Sequence, residues 1–382
     1  RGAIFPAGHA ANAAYWYDES TGKWVTSSWY MANLPLWVDA YNGQRKPDSL
    51  MRIDWTPMLA DSLYDQSVPE NNLFEKPLNH EKQTTFPHVY RDQVGKNYDA
   101  FQESPYGNWI TLDFARQLIR SEQVGQSGQT DMLCISISSI DKVAHLSGPQ
   151  SKEMEDMFIR LDRDLADFFQ FLDQQYGANN YLIFLSADHG APQAPAFLEE
   201  HQLPAGNVSS GKIKEELNAF CEANFQVKNA VRTVMVYDVY LNHPHLDTLP
   251  IDQQLLKKAM VAYLEKRPGI FAAYDFSQLS ETRFPAILRD RIVNGYYAKR
   301  SGDLQYIVNN HYLYSAKPTG TEHGAWYNYD AHIPLIWYGW HIPKGRSYRT
   351  VYMTDIAVTL AALLQIQMPA AAVGSVLPEL VR

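Results

Sequence analysis

An aspartate and a histidine stand side by side at the end of a mostly apolar run in this chain. The run covers residues 181–187 and leads directly into Asp188, His189 and Gly190. Buried strands of α/β proteins are continuous apolar segments, and ligands collect beyond their carboxyl ends. Carboxylates and imidazoles are both metal ligands, and a glycine lets the chain turn away from them. The pattern predicts a metal site at this strand end, and a simple polar turn is the alternative.

Two further segments supply the same types of side chain. Residues 131–140 read as a strand, and Asp141 and His145 follow it with a spacing of four, which puts them on one face of a helical turn. His323 precedes another apolar run at 333–339. Oxygen and nitrogen donors in this mixture suit zinc better than manganese or cobalt.

The number of candidate ligands exceeds what one zinc ion needs. A catalytic zinc usually takes three protein ligands, whereas the sequence offers Asp141, His145, Asp188, His189 and His323. A two-metal site is the natural inference, with Asp141, His145 and His323 at one ion and Asp188 and His189 at the other. Paired ions about 4 Å apart suit an in-line displacement at phosphorus.

Composition excludes several classes of protein. The net charge is −9 without blocks of like charge, which argues against a nucleic-acid or anionic-membrane surface. No apolar run approaches the ~20 residues of a membrane helix, and two cysteines cannot form a disulfide framework. Cys134 is expected to be a core residue, because it lies in the predicted strand 131–140. A small anionic substrate remains compatible with this charge, since bound cations reverse the local potential.

The predicted elements alternate between helix and strand. An amphipathic helix at 151–176 lies between the strands 131–140 and 180–187, and such a succession implies parallel strands. We therefore predict an α/β fold with a largely parallel central sheet and helices on both faces. Residues 1–194 form the first part of the catalytic domain, residues 195–300 an α+β insertion, and residues 301–382 the return to the catalytic sheet. Within the insertion, residues 231–240 read as one strand.

Several motifs together resemble the alkaline phosphatase superfamily, and most closely the phosphate-irrepressible alkaline phosphatases, which are related to type I phosphodiesterases and nucleotide pyrophosphatases. The resemblance covers essentially the whole chain. The matching elements are Asp141-x3-His145, Ser186-Ala187-Asp188-His189-Gly190, Glu322-His323-Gly324 with residues 330–335, residues 354–361, and residues 1–9.

The resemblance implies a role for each candidate residue. Asp141, His145 and His323 would bind one zinc ion, and Asp188 and His189 the second. Arg1 matches the arginine that grips the non-bridging oxygens of a phosphomonoester, for which its planar fork is suited. The implied function is a zinc-dependent phosphomonoester hydrolase, exported to the periplasm or secreted, that acts on a small phosphate ester.

The chain also departs from the family pattern. In the family the second zinc takes a further aspartate and faces a threonine or serine nucleophile, and an asparagine and the lysine of a Lys-x-Arg element complete the phosphate site. These residues would precede Arg1, so we expect the sequence to be an N-terminally truncated form. Such a chain alone would be nearly inactive and would hold its second zinc weakly.

Three alternatives remain open from the sequence. A phosphodiesterase or nucleotide pyrophosphatase of the same superfamily would use the same ligands, and Arg1 is the feature that favours a monoester. A non-catalytic metal-binding module would never have had a nucleophile. A cofactor-independent mutase of the superfamily agrees poorly with the tyrosine- and tryptophan-rich first segment.

Other polar residues have plainer expected roles. Glu322 is expected to be a solvated loop acid, with contact to a metal ligand as the alternative. Eight histidines lack a partner motif and are expected at the surface or in satisfied core positions: His9, His80, His88, His201, His243, His245, His311 and His341.

Overall fold

The computed structural model describes residues 3–281 and 284–381. These residues fall into two compact units. The first is drawn from Arg1–Leu165 and His189–His332, and the second from Ala166–Asp188 and Ile333–Arg382.

Fourteen α-helices are present among the described residues. In chain order, α1 to α14 are Ile4–Ala7, Leu36–Gly43, Lys46–Leu50, Asp99–Gln102, Pro105–Ser121, Ser139–Ser147, Lys152–Tyr176, Pro195–Glu200, Ser210–Phe225, His243–Leu246, Gln253–Leu264, Ala286–Gly295, Asn328–Ala331 and Thr354–Leu363. Short 3-10 helices lie at Asp61–Leu63, Arg91–Gln93 and Phe276–Glu281.

Ten strands accompany them. In chain order, β1 to β10 are Trp16–Asp18, Lys23–Val25, Leu182–Ser186, Gly206–Asn207, Val231–Met235, Asp238–Leu241, Ile270–Asp275, Leu304–Val308, Tyr312–Leu313 and Leu335–Gly339. They form an antiparallel β1–β2 ribbon, an antiparallel β3–β10 pair, a parallel β4–β9 pair and a four-stranded antiparallel sheet in the order β5-β6-β8-β7.

The first part of the chain packs around aromatic side chains. Trp24 stacks on Phe114 of α5 with ring centroids 4.0 Å apart, and Tyr41 meets the same ring edge-on. Trp55 is fully buried, and its indole nitrogen donates to the carboxylate of Asp156 at 2.6 Å. This core supports α6, the helix that carries Asp141 and His145.

The middle of the chain has a separate core. Helices α9 and α11 pack on the four-stranded sheet, and the buried residues of this cluster all lie between Val208 and Val308. The parallel pairing of β4 with β9 joins the beginning and the end of this segment. β8 belongs to this sheet, although it lies within residues 301–382, which we assigned to the catalytic sheet. It pairs with β6 and β7, and the insertion limits stay a prediction.

The second unit contains the β3–β10 pair and α14. Leu182 pairs with Gly339 and Ser186 with Leu335. Asp355, in the first turn of α14, is buried and accepts hydrogen bonds from the backbone N–H groups of Tyr352 and Ser375 at 2.9 and 2.8 Å.

Two predicted strands differ from the structure. Residues 131–138 have no strand partner among the described residues, so the parallel pairing expected with 180–187 is not formed there, and Cys134 is exposed rather than buried. An extended segment becomes a strand only when a neighbour takes up its N–H and C=O groups. The single strand predicted at 231–240 is a hairpin, with a two-residue loop between Met235 and Asp238.

Within residues 3–281 and 284–381, no helix combines the length and apolar character that a membrane crossing requires.

Candidate metal centre

Helix α6 begins at Ser139 and presents Asp141 and His145 on one face. Nε2 of His145 lies 3.5 Å from Oδ1 of Asp141. Side chains four residues apart in a helix lie one above the other, which is the reason for this approach.

His323 comes from a loop 178 residues further along the chain and completes a cluster of three. Its Nε2 lies 3.8 Å from Oδ1 of Asp141, and one ligand atom from each of Asp141, His145 and His323 falls within 4.8 Å of the others. Zinc–ligand bonds are about 2.0–2.2 Å long, so tetrahedral ligand atoms lie about 3.3–3.6 Å apart. Two of the observed separations are close to this range, so the donor types and their spacing fit one metal ion.

His189 approaches the same carboxylate. Its Nε2 lies 3.9 Å from Oδ1 of Asp141, and its ring stacks on that of His323 with centroids 3.4 Å apart and planes 13° apart. Three imidazole nitrogens thus surround one carboxylate oxygen. Four of the five predicted ligands meet at this cluster.

Main-chain carbonyl groups orient two of the rings. Nδ1 of His145 donates to the carbonyl oxygen of Thr321 at 2.9 Å, and Nδ1 of His189 donates to that of Gly190 at 2.8 Å. A hydrogen bond at Nδ1 fixes the tautomer in which Nε2 carries a lone pair. In both residues that nitrogen is the one directed at Asp141.

The loop that carries His323 is also held to α6 by Thr321, which lies two residues before this histidine. Thr321 is buried, its N–H donates to the carbonyl oxygen of His145 at 3.1 Å, and its hydroxyl donates to that of Pro192 at 2.6 Å. Glu322 brings Oε2 to 3.3 Å from Nδ1 of His145. Glu322 therefore contacts a candidate ligand, whereas we expected a solvated loop acid. Thr321 could not be predicted from its residue type, because both of its bonds to His145 are made by its backbone.

Burial and like charge act together on His323. Burial lowers the pKa of its imidazole, and the neighbouring His189 lowers that pKa further. A metal ligand must be the neutral imidazole. The surroundings of His323 thus favour the form that binds metal.

Asp330, on the short helix α13, links the loops of two histidines. Its Oδ2 accepts hydrogen bonds from the N–H groups of Gly324 and Ala325 at 2.9 and 2.7 Å, and its carbonyl oxygen accepts one from Gly190 at 2.8 Å. Burial raises the pKa of Asp330 to about 6, although the N–H groups of Ala325 and Gly324 oppose this rise. Asp330 belongs to the segment 330–335 of the family resemblance, which implies no role for it.

Two glycines allow these close approaches. A Cβ atom on Gly190 would lie 2.1 Å from the carbonyl oxygen of Tyr329, so a larger residue would push the two segments apart. Gly324 has φ +109°, a conformation that other residues rarely adopt.

A cavity of about 340 Å³ borders His145. Lys142 forms ion pairs there with Glu19, at 2.5 Å, and with Asp99. The walls also include Asn79, Glu103 and Leu146. These side chains make a largely polar surface of mixed charge beside the cluster of candidate ligands.

Two predicted site residues are not part of the observed cluster. Arg1 lies outside the described residues. Asp188 is the last residue before His189 and belongs to the second unit, so its role as a ligand stays a prediction.

The chain is similar to proteins of one known family. The family model of type I phosphodiesterases and nucleotide pyrophosphatases matches residues 3–330. The chain belongs to this family, and thus to the alkaline phosphatase-like superfamily, whose members act as phosphatases or phosphodiesterases.

Curated relatives match over the whole chain. Alkaline phosphatase PhoV of Synechococcus elongatus is 38% identical over 382 residues, covering 100% of this chain and 69% of PhoV. A protein of Myroides odoratus named calcium-transporting ATPase is 38% identical and covers 99% of this chain and 70% of its own length. Alkaline phosphatase PafA of Elizabethkingia meningoseptica is also 38% identical, over 100% of this chain and 70% of PafA.

The crystal structure of alkaline phosphatase PafA superimposes with a TM-score of 0.96, at 37% identity, and covers 100% of this chain and 73% of that one. The predicted fold class is therefore confirmed: the chain has the mixed α/β fold of this alkaline phosphatase.

Proposed function

We propose that this protein is a zinc-dependent phosphomonoester hydrolase that acts by two-metal phosphoryl transfer. The observation that carries the proposal is the cluster of Asp141, His145 and His323, whose ligand atoms lie within 4.8 Å of one another. The family membership and the alkaline phosphatase relatives support the reaction class.

The chain's own residues would divide between two ions. Asp141, His145 and His323 would hold one zinc, and Asp188 and His189 would contribute to the second. His189 lies 3.9 Å from Asp141, which supports two adjacent sites rather than two distant ones. The carbonyl groups of Thr321 and Gly190 would keep the rings of His145 and His189 turned inward.

Phosphoryl transfer suits such a site. The reaction breaks the bond between phosphorus and the leaving oxygen, forms one to the attacking oxygen, and needs chiefly positioning and charge neutralisation. Zinc, when bound, supplies that neutralisation at the phosphoryl oxygens. The cavity beside His145, with Lys142 in its wall, offers room for a polar leaving group.

Arg1 is the proposed determinant of monoester preference. Its guanidinium would bind two non-bridging oxygens of the phosphoryl group. A monoester carries one more negative charge on these oxygens than a diester does, so it would be bound more strongly. The alternative is a phosphodiesterase or nucleotide pyrophosphatase, which the matching family model favours. Comparing hydrolysis rates on p-nitrophenyl phosphate and bis-p-nitrophenyl phosphate separates the two alternatives. Arg1→Ala should selectively slow hydrolysis of the monoester. An equal effect on both esters would favour the diesterase.

The resemblance also suggests a location and a partner. We propose a periplasmic or secreted enzyme whose partner is a small phosphate ester. This location would give the enzyme access to external phosphate esters.

Zinc content is the direct test of the metal site. We expect the purified chain to retain about one zinc ion under mild chelation, and Asp141→Ala or His323→Ala to remove it. His201→Ala is the matched control, because His201 is exposed and its Nδ1 pairs with the carbonyl oxygen of Phe197. Elemental analysis after dialysis measures the zinc content, and phosphate release is measured on the same preparations.

Two results would contradict the proposal. Zinc retained in both Asp141→Ala and His323→Ala would mean that the cluster is not the metal site. Phosphate release that survives these substitutions would show that the cluster is not needed for catalysis.

A further inference from the structure

We propose that Asp330 is a positioning residue that holds the loops of His189 and His323 at the separation zinc binding requires. This inference rests on the proposed metal site and assigns a role to a residue that is not itself among the ligands. The two loops are far apart in sequence, so their alignment needs a shared anchor.

The side chain of Asp330 controls the loop after His323. Its Oδ2 accepts from the N–H groups of both residues that directly follow this histidine, Gly324 and Ala325, at 2.9 and 2.7 Å. Gly324 has φ +109°, so the chain bends sharply at this point. A carboxylate that accepts two adjacent N–H groups fixes both peptide planes and therefore the direction in which His323 leaves the backbone.

The backbone of the same residue controls the loop after His189. The N–H group of Gly190 donates to the carbonyl oxygen of Asp330 at 2.8 Å. Gly190 has no room for a side chain, because its Cβ would lie 2.1 Å from the carbonyl oxygen of Tyr329. Each histidine is thus followed directly by a glycine whose N–H group donates to Asp330. The two imidazole rings stack with centroids 3.4 Å apart.

Asp330 is itself held in place. The residue is 4% exposed and lies in α13, whose backbone begins with a hydrogen bond from Asp330 N–H to the carbonyl oxygen of Tyr327 at 3.1 Å. The hydroxyl of Tyr327 donates to the carbonyl oxygen of Val308 at 2.9 Å, and the hydroxyl of Tyr329 accepts from the N–H of His311 at 3.2 Å. The anchor is therefore fixed to strand β8 and the turn that follows it.

The burial of the Asp330 carboxylate is unfavourable for the stability of the fold. Among the described residues its Oδ1 is buried without a hydrogen-bond partner. An unsatisfied buried carboxylate oxygen loses hydration without compensation. A function in aligning the two loops accounts for the presence of an acid at this position.

Asp355 provides a matched control. It is equally buried, at 4% exposure, and its carboxylate likewise accepts from two backbone N–H groups, those of Tyr352 and Ser375. Asp330→Ala and Asp355→Ala therefore remove the same number of hydrogen bonds of the same kind. A general loss of stability should appear in both variants.

The test measures zinc affinity of the full chain by competition with a chelator, together with the visible absorption of bound cobalt(II) and the melting temperature without metal. We expect Asp330→Ala to weaken zinc binding about 10–100-fold, the usual effect of losing a residue that supports metal ligands, and to alter the cobalt spectrum. Asp355→Ala should lower the melting temperature and leave both metal readouts unchanged. Asp330→Asn should restore most of the affinity, because its amide oxygen can still accept from Gly324 and Ala325.

Other outcomes are equally decisive. Parental zinc affinity and an unchanged cobalt spectrum in Asp330→Ala would overturn the positioning role while leaving the proposed function intact. Absence of zinc binding in the parent chain would overturn both. If Asp330→Ala does not fold, Asp330→Glu carries the test, since it keeps the charge and shifts the oxygens by one methylene; unchanged affinity there would overturn the proposal.

Discussion

At the scale of single residues, the candidate ligands could be predicted because their types and spacing are visible in the sequence. Asp141 and His145 are four apart, and Asp188 and His189 are adjacent. The groups that orient them could not be predicted in the same way. Thr321 and Gly190 act through carbonyl oxygens, which every residue has, so no side-chain type marks them.

His88 shows a second limit at this scale. It is 1% exposed, its Nδ1 lies 2.7 Å from Glu81 and its Nε2 3.2 Å from Glu153. Burial alone would lower the pKa of His88, but hydrogen bonds to Glu153 and Glu81 outweigh it and raise the pKa to about 9. The expectation of a satisfied core position holds, and the residue is a buried cation between two acids.

The raised pKa of His88 predicts pH-dependent stability. An unfolded histidine has a pKa of ~6.5, so the stabilisation is complete below that pH and is lost as pH rises through about 9. Between pH 7.5 and 9.5 the loss is about 2 kcal/mol, from the linkage of one proton. Burial and the nearby Glu153 raise the pKa of Glu75 to about 8. Ionisation of Glu75 therefore also lowers the free energy of unfolding as the pH rises.

Urea unfolding at these two pH values checks the prediction. In His88→Gln, the free energy of unfolding should fall much less between pH 7.5 and 9.5 than in the parent protein. In His201→Gln, at an exposed position, it should fall as much as in the parent. An unchanged difference in His88→Gln would show that His88 does not titrate in this range.

At the scale of elements, long helices with a clear apolar period were predicted well, and short strands less so. The helix predicted at 151–176 is observed as Lys152–Tyr176. The hairpin within 231–240 could not be predicted, because its loop, Val236 and Tyr237, contains none of the glycine or asparagine residues that usually mark such turns. The strand predicted at 131–140 rests on the pattern of side chains alone, whereas strand formation also depends on a partner.

The loop of this hairpin makes a prediction about stability. Val236 has φ +53°, which is unfavourable for a β-branched residue, and its carbonyl oxygen is held by the hydroxyl groups of Ser210 and Tyr306 at 2.9 and 2.8 Å. Val236→Gly should therefore stabilise the protein by about 1 kcal/mol, since relief of strain of about 1–3 kcal/mol exceeds the entropy cost of glycine.

The free energy of unfolding in urea measures this gain. Val373→Gly is the control, because Val373 is also exposed and is not among the residues with positive φ. A Val236→Gly protein no more stable than Val373→Gly would show that the loop stores no strain.

At the scale of the whole molecule, the α+β segment has its own core and its own closure. Its buried cluster runs from Val208 to Val308, and β4 pairs with β9 just outside these limits. The insertion predicted at 195–300 stays a prediction; β8, just beyond residue 300, resembles any other apolar strand in sequence, so its place in this sheet could not be predicted.

The self-contained core predicts independent folding. A fragment of residues 204–318 should unfold cooperatively, as domains with one hydrophobic core do. Leu217→Ala, at a fully buried position, should destabilise it by about 2–5 kcal/mol. Circular dichroism during thermal unfolding measures both effects, and a broad, non-cooperative transition would contradict the prediction.

The β4–β9 pairing also has an evolutionary consequence. Gly206 N–H donates to the carbonyl oxygen of His311 at 3.2 Å, and Val208 N–H to that of Leu313 at 2.7 Å, so the segment leaves and re-enters the rest of the chain at neighbouring points. A module with such a narrow base can be exchanged between homologues without changing the distance its attachment points must span. The corresponding segment of a homologue could thus replace the one in this chain. Such a replacement would leave the sequence of the loops that carry the candidate metal ligands unchanged.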